Sequence, residues 1–341
     1  MSEQPGGWNP EQTQPLRSPP KSLRPPDSGL QPGAVDFGPY RLIRKIGRGG
    51  VGDVYQAEDL ETHHCGILKR LHREIMDQPG ARKRFAFEME IGRLLRHPNL
   101  VAVRECGEVA GRQFIFMEEV SGPSLRRLLQ GSAPWEVTTQ GLLEALEQVA
   151  KGIAFAHRNG IVHGDLKPEN MLFHSLRQPV VIDFGLAHRG EAPPPIKTAG
   201  EIGATGYLMG TPMYMPPETI AARRGGLTPA GDVYSFGVML YEVLAGRPPF
   251  LLEVGGARQA AVMKLIEQVV NETPPPIRSL RPEVAEAWDD LCQRCLQKKP
   301  AKRPASLDGV AQDVGWILRT GKPRPAGGGD SVVRRMSKWF E

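Results

Sequence analysis

Apolar periodicity is absent from the first 36 residues and then appears in two successive regimes. Tyr40–Ile46, Gly52–Glu58, Cys65–Leu71, Leu100–Glu108 and Gln113–Glu119 are short β-favouring runs divided by Gly, His or polar turns, the signature of strands. One helical stretch, Ala81–Arg96, interrupts them. After Ser124 the apolar spacing becomes helical. Leu142, Leu146, Val149 and Ile153 recur on one face, and Leu143, Ala150 and Ala154 widen the stripe until Gly160 ends it. Val233–Leu244, Val262–Val269 and Val284–Leu296 predict further helices. The pattern is α+β: a small β-rich region containing one helix, then a larger α-rich one, with no internal repeat.

The ends have a different character. Residues 1–36 hold eight prolines and four glycines, too little apolar surface to offset ordering entropy, and predict a flexible segment. Gly321-Lys-Pro-Arg-Pro and Gly327-Gly-Gly predict another, so folded structure is expected from about residue 37 to Leu318, with 319–341 a basic tail. In that tail Val332, Met336, Trp339 and Phe340 could share a helical face beside Arg334, Arg335 and Lys338, which allows docking on an anionic membrane surface or a partner.

Composition narrows the class. Apolar residues are 40% and charged residues 24% of the 341, ordinary values for a globular chain. No run approaches the roughly 18 apolar residues of a membrane span, and the first residues lack the basic start and apolar centre of a signal peptide. Four cysteines suit a reducing cytoplasm. The net charge of +5 is concentrated at one end: from Arg319 onward six Lys/Arg face two Asp/Glu. A basic folded surface is therefore missing, and nucleic acid is not an expected partner.

Gly47-Arg-Gly49-Gly-Val-Gly52 matches G-x-G-x-x-G. A dinucleotide fold needs a helix after the third glycine, whereas Asp53-Val-Tyr-Gln-Ala57 favours a strand, so a glycine hairpin over phosphates fits better. His163-Gly-Asp165-Leu-Lys167-Pro-Glu169-Asn170 follows, and thirteen residues beyond Asn170 stands Asp183-Phe-Gly185. A carboxylate can take a proton from an attacking hydroxyl, an amide oxygen and a second carboxylate can bind a hard divalent cation, and a lysine can balance phosphate charge.

With these motifs in this order, the chain resembles the eukaryotic-type protein kinases over roughly residues 40–318, and among them the bacterial serine/threonine kinases. The resemblance implies a bilobal fold, with a β-rich N-lobe over 37–123 and a helical C-lobe over 124–318. It implies ATP with Mg²⁺ or Mn²⁺ as cofactors and proteins with Ser/Thr acceptors, itself included, as substrates. Gly47, Gly49 and Gly52 would cover the phosphates, and Val54, Glu169 and Leu172 would complete the nucleotide contacts. Lys69 would meet the α/β-phosphates, paired by Glu88. Met117 would be the gatekeeper, and the backbone at Glu118 and Val120 would read adenine. Asp165 would be the catalytic base, Lys167 would neutralise the γ-phosphate, and Asn170 with Asp183 would hold the metal. Glu218 would pair with Arg303, and Asp232 would anchor the catalytic loop. Lys167 and Thr211 are of the serine/threonine type at their positions.

Three residues depart from that family's pattern. Gly164 replaces the arginine before the catalytic Asp, Ile67 replaces a small alanine near the adenine, and Gly92 replaces a bulky apolar residue in the helix carrying Glu88. They leave a second function class in view, a nucleotide-binding pseudokinase scaffold, against which the full set Lys69, Glu88, Asp165, Asn170 and Asp183 argues. A small-molecule kinase is disfavoured by the Gly210-Thr-Pro…Pro-Pro-Glu218 segment. Gly164 further implies that phosphates at Thr198 or Thr205 cannot use that arginine as a switch. Cys292-Gln-Arg-Cys295 lacks a second Cys/His pair and reads as packing.

Overall fold

Alternating residues in the first regime build one antiparallel sheet. The protein's structure, a computed structural model, describes residues 35–48, 52–75, 79–184, 188–189, 212–221, 227–252 and 258–325. It divides into two units, one holding the chain up to Phe85 with Val103–Glu119, the other Ala86–Ala102 with Val120 onward.

In the smaller unit β1 (Val35–Phe37), β2 (Tyr40–Arg48), β3 (Gly52–Asp59) and β4 (Cys65–Leu71) follow one another. α1 (Pro79–Leu94) comes next and carries the chain into the larger unit, and β5 (Val103–Val109) and β6 (Arg112–Met117) return to the smaller one. The sheet order is β1-β2-β3-β4-β6-β5, every pair antiparallel. Because side chains alternate across a strand, one face collects Phe37, Tyr40, Leu42, Ala57, Leu68, Phe114 and Phe116 into a buried cluster. Tyr40 packs its ring on Phe114 and Phe116, at centroid distances of 5.1 and 4.8 Å, and donates its hydroxyl to Glu105.

The strand expected over Leu100–Glu108 starts later, at Val103. Asn99 O instead accepts the Val181 N–H at 2.9 Å and Val181 O accepts the Val101 N–H at 3.0 Å, so the chain around Leu100 runs beside a strand of the larger unit.

That unit is built on helices: α2 (Leu125–Leu129), α3 (Thr139–Arg158), α4 (Pro217–Ala221), α5 (Pro229–Ala245), α6 (Arg258–Asn271), α7 (Glu286–Cys295) and α8 (Leu307–Thr320). Between α3 and α4 lie β7 (Ile161–Val162), the hairpin β8 (Met171–Ser175) with β9 (Gln178–Val181), and β10 (His188–Arg189), which pairs with β7. Thr138 and Thr228 cap α3 and α5 by accepting the Gly141 and Gly231 N–H groups. α5 is the structural centre, since every residue from Gly231 to Leu244 is buried. A Cβ at Gly237 would lie 2.7 Å from Cys295 Cβ, so the glycine sets the close approach of α5 and α7. Cys292 and Cys295 are wholly buried there, and burial pushes both thiols up, that of Cys295 to about 12.

α8 was not among the expected helices. It is signalled by Ser306, which accepts the Gly309 N–H, and by the buried stripe Val310, Ala311, Val314 and Ile317, with which α8 packs along α3. No described helix is long and apolar enough to cross a membrane.

Candidate active site

In the smaller unit, the β2–β3 hairpin carries Gly47 opposite Val54, and the next pairing sets Val54 opposite Lys69 of β4. Gly47, Gly52, Val54 and Lys69 therefore come together on neighbouring strands, while Gly49 lies outside the described residues. A Cβ at Gly52 would fall 2.6 Å from Arg70 O, an approach that only glycine permits without backbone movement. Lys69 is only 8% exposed. Strand alternation puts it on the face opposite Leu68 and Arg70, the side that carries the aromatic cluster. Met117 ends β6 opposite Ile67 of β4, and Glu118 follows it. A network not expected from sequence crosses the same sheet: Arg44 donates to Gln56, which donates to Glu119 at 2.9 Å.

On α1, Phe85, Glu88 and Ile91 share one buried side, with Leu95 just beyond the helix. A glutamate 7% exposed within an apolar stripe is costly unless partnered, which marks Glu88 as a placed charge.

In the larger unit, the residues between β7 and β8 form a loop fixed almost atom by atom. Asp232, near the start of α5, accepts the His163 N–H at 2.9 Å, the Gly164 N–H at 2.8 Å and the His157 ring at 2.7 Å. Burial alone would raise this carboxyl, but the His157 hydrogen bond and charge, with His163 and the Gly164 N–H, more than offset it and hold it below its ordinary value. Gly164 has φ +75°, and a Cβ there would meet Leu227 Cδ1 at 2.4 Å, so this backbone suits glycine on two counts. The His163 ring accepts the Asp165 N–H at Nδ1 and points Nε2 at Ile182 O.

Asp165 is thereby aimed. Lys167 Nζ lies 2.5 Å from Asp165 Oδ2, and Asn170 Nδ2 donates to Asp165 O at 2.9 Å and to Oδ2 at 3.2 Å. Both side-chain donors fall on Oδ2, which leaves Oδ1 without a partner among the described residues. Asn170, its nitrogen spent on Asp165, keeps its amide oxygen for another ligand. Pairing of Met171 with Val181 brings the hairpin's two ends together, and the Ile182 N–H donates to Asn170 O at 2.9 Å. Asp183 follows directly, with φ +65°, a left-handed conformation that Asp tolerates better than most residues. Phe184 is buried against the His163 ring, 4.8 Å between centroids. Leu172 pairs with Val180 and bridges Ser124. Gly185, Thr198, Thr205, Thr211, residues 1–34 and residues 326–341 of the basic tail lie outside the described residues.

Arg303 forms the expected pair with Glu218, bidentate at 2.7 and 2.6 Å, and its remaining donors reach the carbonyls of Gln297, Ala230 and Lys298. Sequence reading missed Arg126. Its guanidinium meets Glu169 at 2.9 Å, Glu242 at 2.6 Å and the Tyr214 hydroxyl. Burial would lower its pKa, but Glu169, Tyr214 and Glu242 together raise it above the ordinary value. No spacing rule links residues 126, 169, 214 and 242, so no local signal could have found them.

Comparison with known proteins bears on this geometry. A family model described as the protein kinase domain matches residues 40–314. The serine/threonine-protein kinase PknD of Mycobacterium tuberculosis is 33% identical over 300 residues, covering 88% of this chain and 42% of its own length. The serine/threonine-protein kinase pkn3 of Myxococcus xanthus is 32% identical over 299 residues, covering 86% and 52%. The chain thus spans about half the length of these relatives. The crystal structure of the M. tuberculosis PknI kinase domain aligns at TM-score 0.58 and 23% identity, over 83% of this chain and 97% of that one. That likeness establishes the fold, an antiparallel N-lobe sheet and a helical C-lobe, as expected from the sequence.

Proposed function

The chain belongs to the protein kinase family, and from that premise we propose that it transfers the γ-phosphoryl group of ATP to Ser or Thr hydroxyls of proteins, itself among them. Use of ATP and a divalent metal is general to the family. The observation that carries the reading is the Asp165 carboxylate, with Oδ2 held by Lys167 and Asn170 and Oδ1 left for a substrate proton.

The substrate hydroxyl oxygen attacks the γ-phosphorus, its proton passes to Asp165 Oδ1, and the bond from the γ-phosphorus to the bridging oxygen breaks to leave ADP. Lys167 balances charge on the transferring group, Lys69 takes the α/β-phosphates, and Glu88 keeps the counter-charge role that the resemblance gives it. Gly47, Gly49, Gly52, Val54, Met117, Glu118, Val120, Glu169 and Leu172 take the nucleotide contacts. Much of the acceleration comes from positioning and fixed charge.

A carboxylate and an amide oxygen are hard donors, so Asp183 and the free Asn170 oxygen fit Mg²⁺, with Mn²⁺ a workable substitute. Bound there, the cation would neutralise charge on the phosphates. A cytoplasmic setting, where the four free cysteines stay reduced, belongs to the same proposal.

The test is transfer of label from γ-labelled ATP with Mg²⁺ to the protein itself and to a basic carrier protein. Asp165→Asn is expected to lower the rate about 10²–10⁴-fold. Asp183→Asn should abolish it, and Lys69→Met should reduce it strongly. Variants matching wild type would refute the site assignment, and ATP binding by a wild type that transfers nothing would establish the scaffold instead.

A further inference from the structure

Arg126 touches three separate parts of the larger unit with one side chain. It stands at the start of α2, after the N-cap Ser124. Its Nε donates to Glu169 Oε1 at 2.9 Å, its Nη1 to Glu242 Oε1 at 2.6 Å, and its Nη2 to the Tyr214 hydroxyl. Tyr214 in turn donates that hydroxyl to Glu242 Oε2 at 2.5 Å, and its ring lies 5.6 Å from the guanidinium carbon. The result is a closed set of charge-assisted bonds of the kind that only a planar, multi-donor cation can make.

Glu242 is 4% exposed and Tyr214 is 3% exposed. A lone carboxylate at that depth would be heavily penalised, and Arg126 is its compensating charge. Glu169 is held differently. Its Oε2 is buried without a hydrogen-bond partner among the described residues, so the bond through Oε1 to Arg126 is what fixes this side chain. Glu169 lies in the short turn Pro168–Asn170, between Lys167 and Asn170, the two residues that hold Asp165 Oδ2. Tyr214 is tied to α5 a second time, because Ser235 Oγ donates to its carbonyl at 2.8 Å.

α5 therefore holds the catalytic loop at both ends. Asp232 takes the first end directly at His163 and Gly164. Glu242 takes the second end through Arg126 and Glu169. We propose that Arg126 is a positioning residue for phosphoryl transfer, setting Lys167 and Asn170 against Asp165 and coupling them to the turn at Tyr214. The inference rests on the kinase reading for its effect on rate, while its geometric part stands apart from activity.

The experiment uses the full chain and reads both parts. Hydrogen exchange of the 163–171 amides is followed in wild type, Arg126→Gln, Arg126→Lys and Glu169→Ala, alongside kcat, KM for ATP and thermal midpoint. Glu169→Ala cuts the loop from Arg126 while leaving the buried Arg126–Glu242 pair intact, so it decides the matter even where Arg126→Gln fails to fold. Faster exchange near 167–171 is expected in Glu169→Ala and Arg126→Gln. A kcat loss of about 10- to 100-fold should accompany it in both, the scale of a small misplacement of reacting groups, with little change in KM for ATP in Arg126→Gln. In Glu169→Ala, which also removes a nucleotide contact, KM for ATP should rise, and the exchange of the loop amides is the deciding readout. Arg126→Lys should recover part of both, because an ammonium can serve one carboxylate well but not the full set.

Wild-type exchange and kcat in a folded Glu169→Ala would overturn the proposal. So would a double variant Arg126→Gln/Glu169→Ala whose kcat loss is the product of the single losses. A wild type that transfers no phosphate would sink the kinase reading alone, and the exchange pattern would still decide whether Arg126 holds the loop.

Discussion

Asp232 and Glu242 are buried acids ten residues apart on α5, about 15 Å along the helix axis, yet they hold the same loop by opposite means. Asp232 accepts from two backbone N–H groups and one imidazole. Among the described residues the Glu242 carboxylate accepts only from side chains, Arg126 and Tyr214. A carboxylate that satisfies main-chain donors dictates the loop's path whatever side chains the loop carries. A carboxylate that works through an arginine depends on that arginine's being there, and everything it holds is contingent on two more residues. The first end of the loop is thus fixed by backbone chemistry, and the second is adjustable by substitution.

The largest expected effect follows from the first arrangement. Asp232→Ala would strand the buried His163 N–H, the half-buried Gly164 N–H and the His157 nitrogen, each costing roughly 1–3 kcal/mol. A total loss on the order of 4 kcal/mol is expected in urea denaturation, and no apolar replacement should recover it. Next comes Arg126→Met, which leaves Glu242 buried and uncompensated and should cost about 3 kcal/mol, the lower end for a broken buried pair because Arg126 is partly exposed. Here the contrast sharpens: Arg126→Met/Glu242→Leu should regain much of that loss, because a buried ion pair can be exchanged for apolar packing. If instead the double variant is less stable than Arg126→Met, the two ends of α5 are equally indispensable and the contrast fails.

The same contrast explains how much could be read from sequence. Asp232 opens Asp-Val-Tyr-Ser-Phe-Gly, and His163, Asp165, Asn170 and Asp183 fall in short motifs whose order carries the family resemblance, so their meeting was legible. The strands were legible too, because alternation is a local property. Leu100 was misplaced as strand residue since its partner, Val181, is 81 positions away and pairs in the larger unit. Arg126 sits in Leu-Arg-Arg-Leu, where Arg127 makes only an exposed bond to the Ser132 carbonyl, and nothing local distinguishes the two. Residues joined only by tertiary structure leave no periodicity to read.

Gly164, at the backbone-fixed end, supplies a smaller effect with two separable parts. Gly164→Ala should cost about 1–3 kcal/mol, from a left-handed backbone that alanine disfavours and from the 2.4 Å approach to Leu227 Cδ1. Leu227→Ala in the same chain removes the steric part and leaves the conformational part. Denaturation midpoints of the single and double variants measure each. A double variant no better than the sum of the singles would mean that Leu227 already yields freely.

The smallest effect concerns pH, and it sets Asp232 beside Lys298, a half-buried charge near α5 with no carboxylate bonded to it among the described residues. Lys298 Nζ lies 2.5 Å from Val269 O at the end of α6 and 4.7 Å from the centre of the Phe250 ring. Burial and the charge of Arg303, against a weaker pull from Glu272, lower its pKa from 10.5 to about 8. Between those values the unfolded chain binds more protons at Lys298 than the folded one, so this group makes stability rise with pH there and adds no slope well below pH 8. Asp232 acts at the other extreme, since a carboxyl held low in the folded state contributes stability that is lost in acid, as pH falls below about 4. The buried thiols of Cys292 and Cys295 oppose Lys298 in alkali, because they ionise earlier when unfolded. The informative quantity is therefore the difference in urea midpoint between wild type and Lys298→Met. That difference should move in favour of wild type from pH 7 to 9.5, by well under the 1.4 kcal/mol per pH unit of a full proton, given the partial exposure of Lys298. A difference independent of pH would show that the carbonyl and ring contacts fully replace the water Lys298 loses.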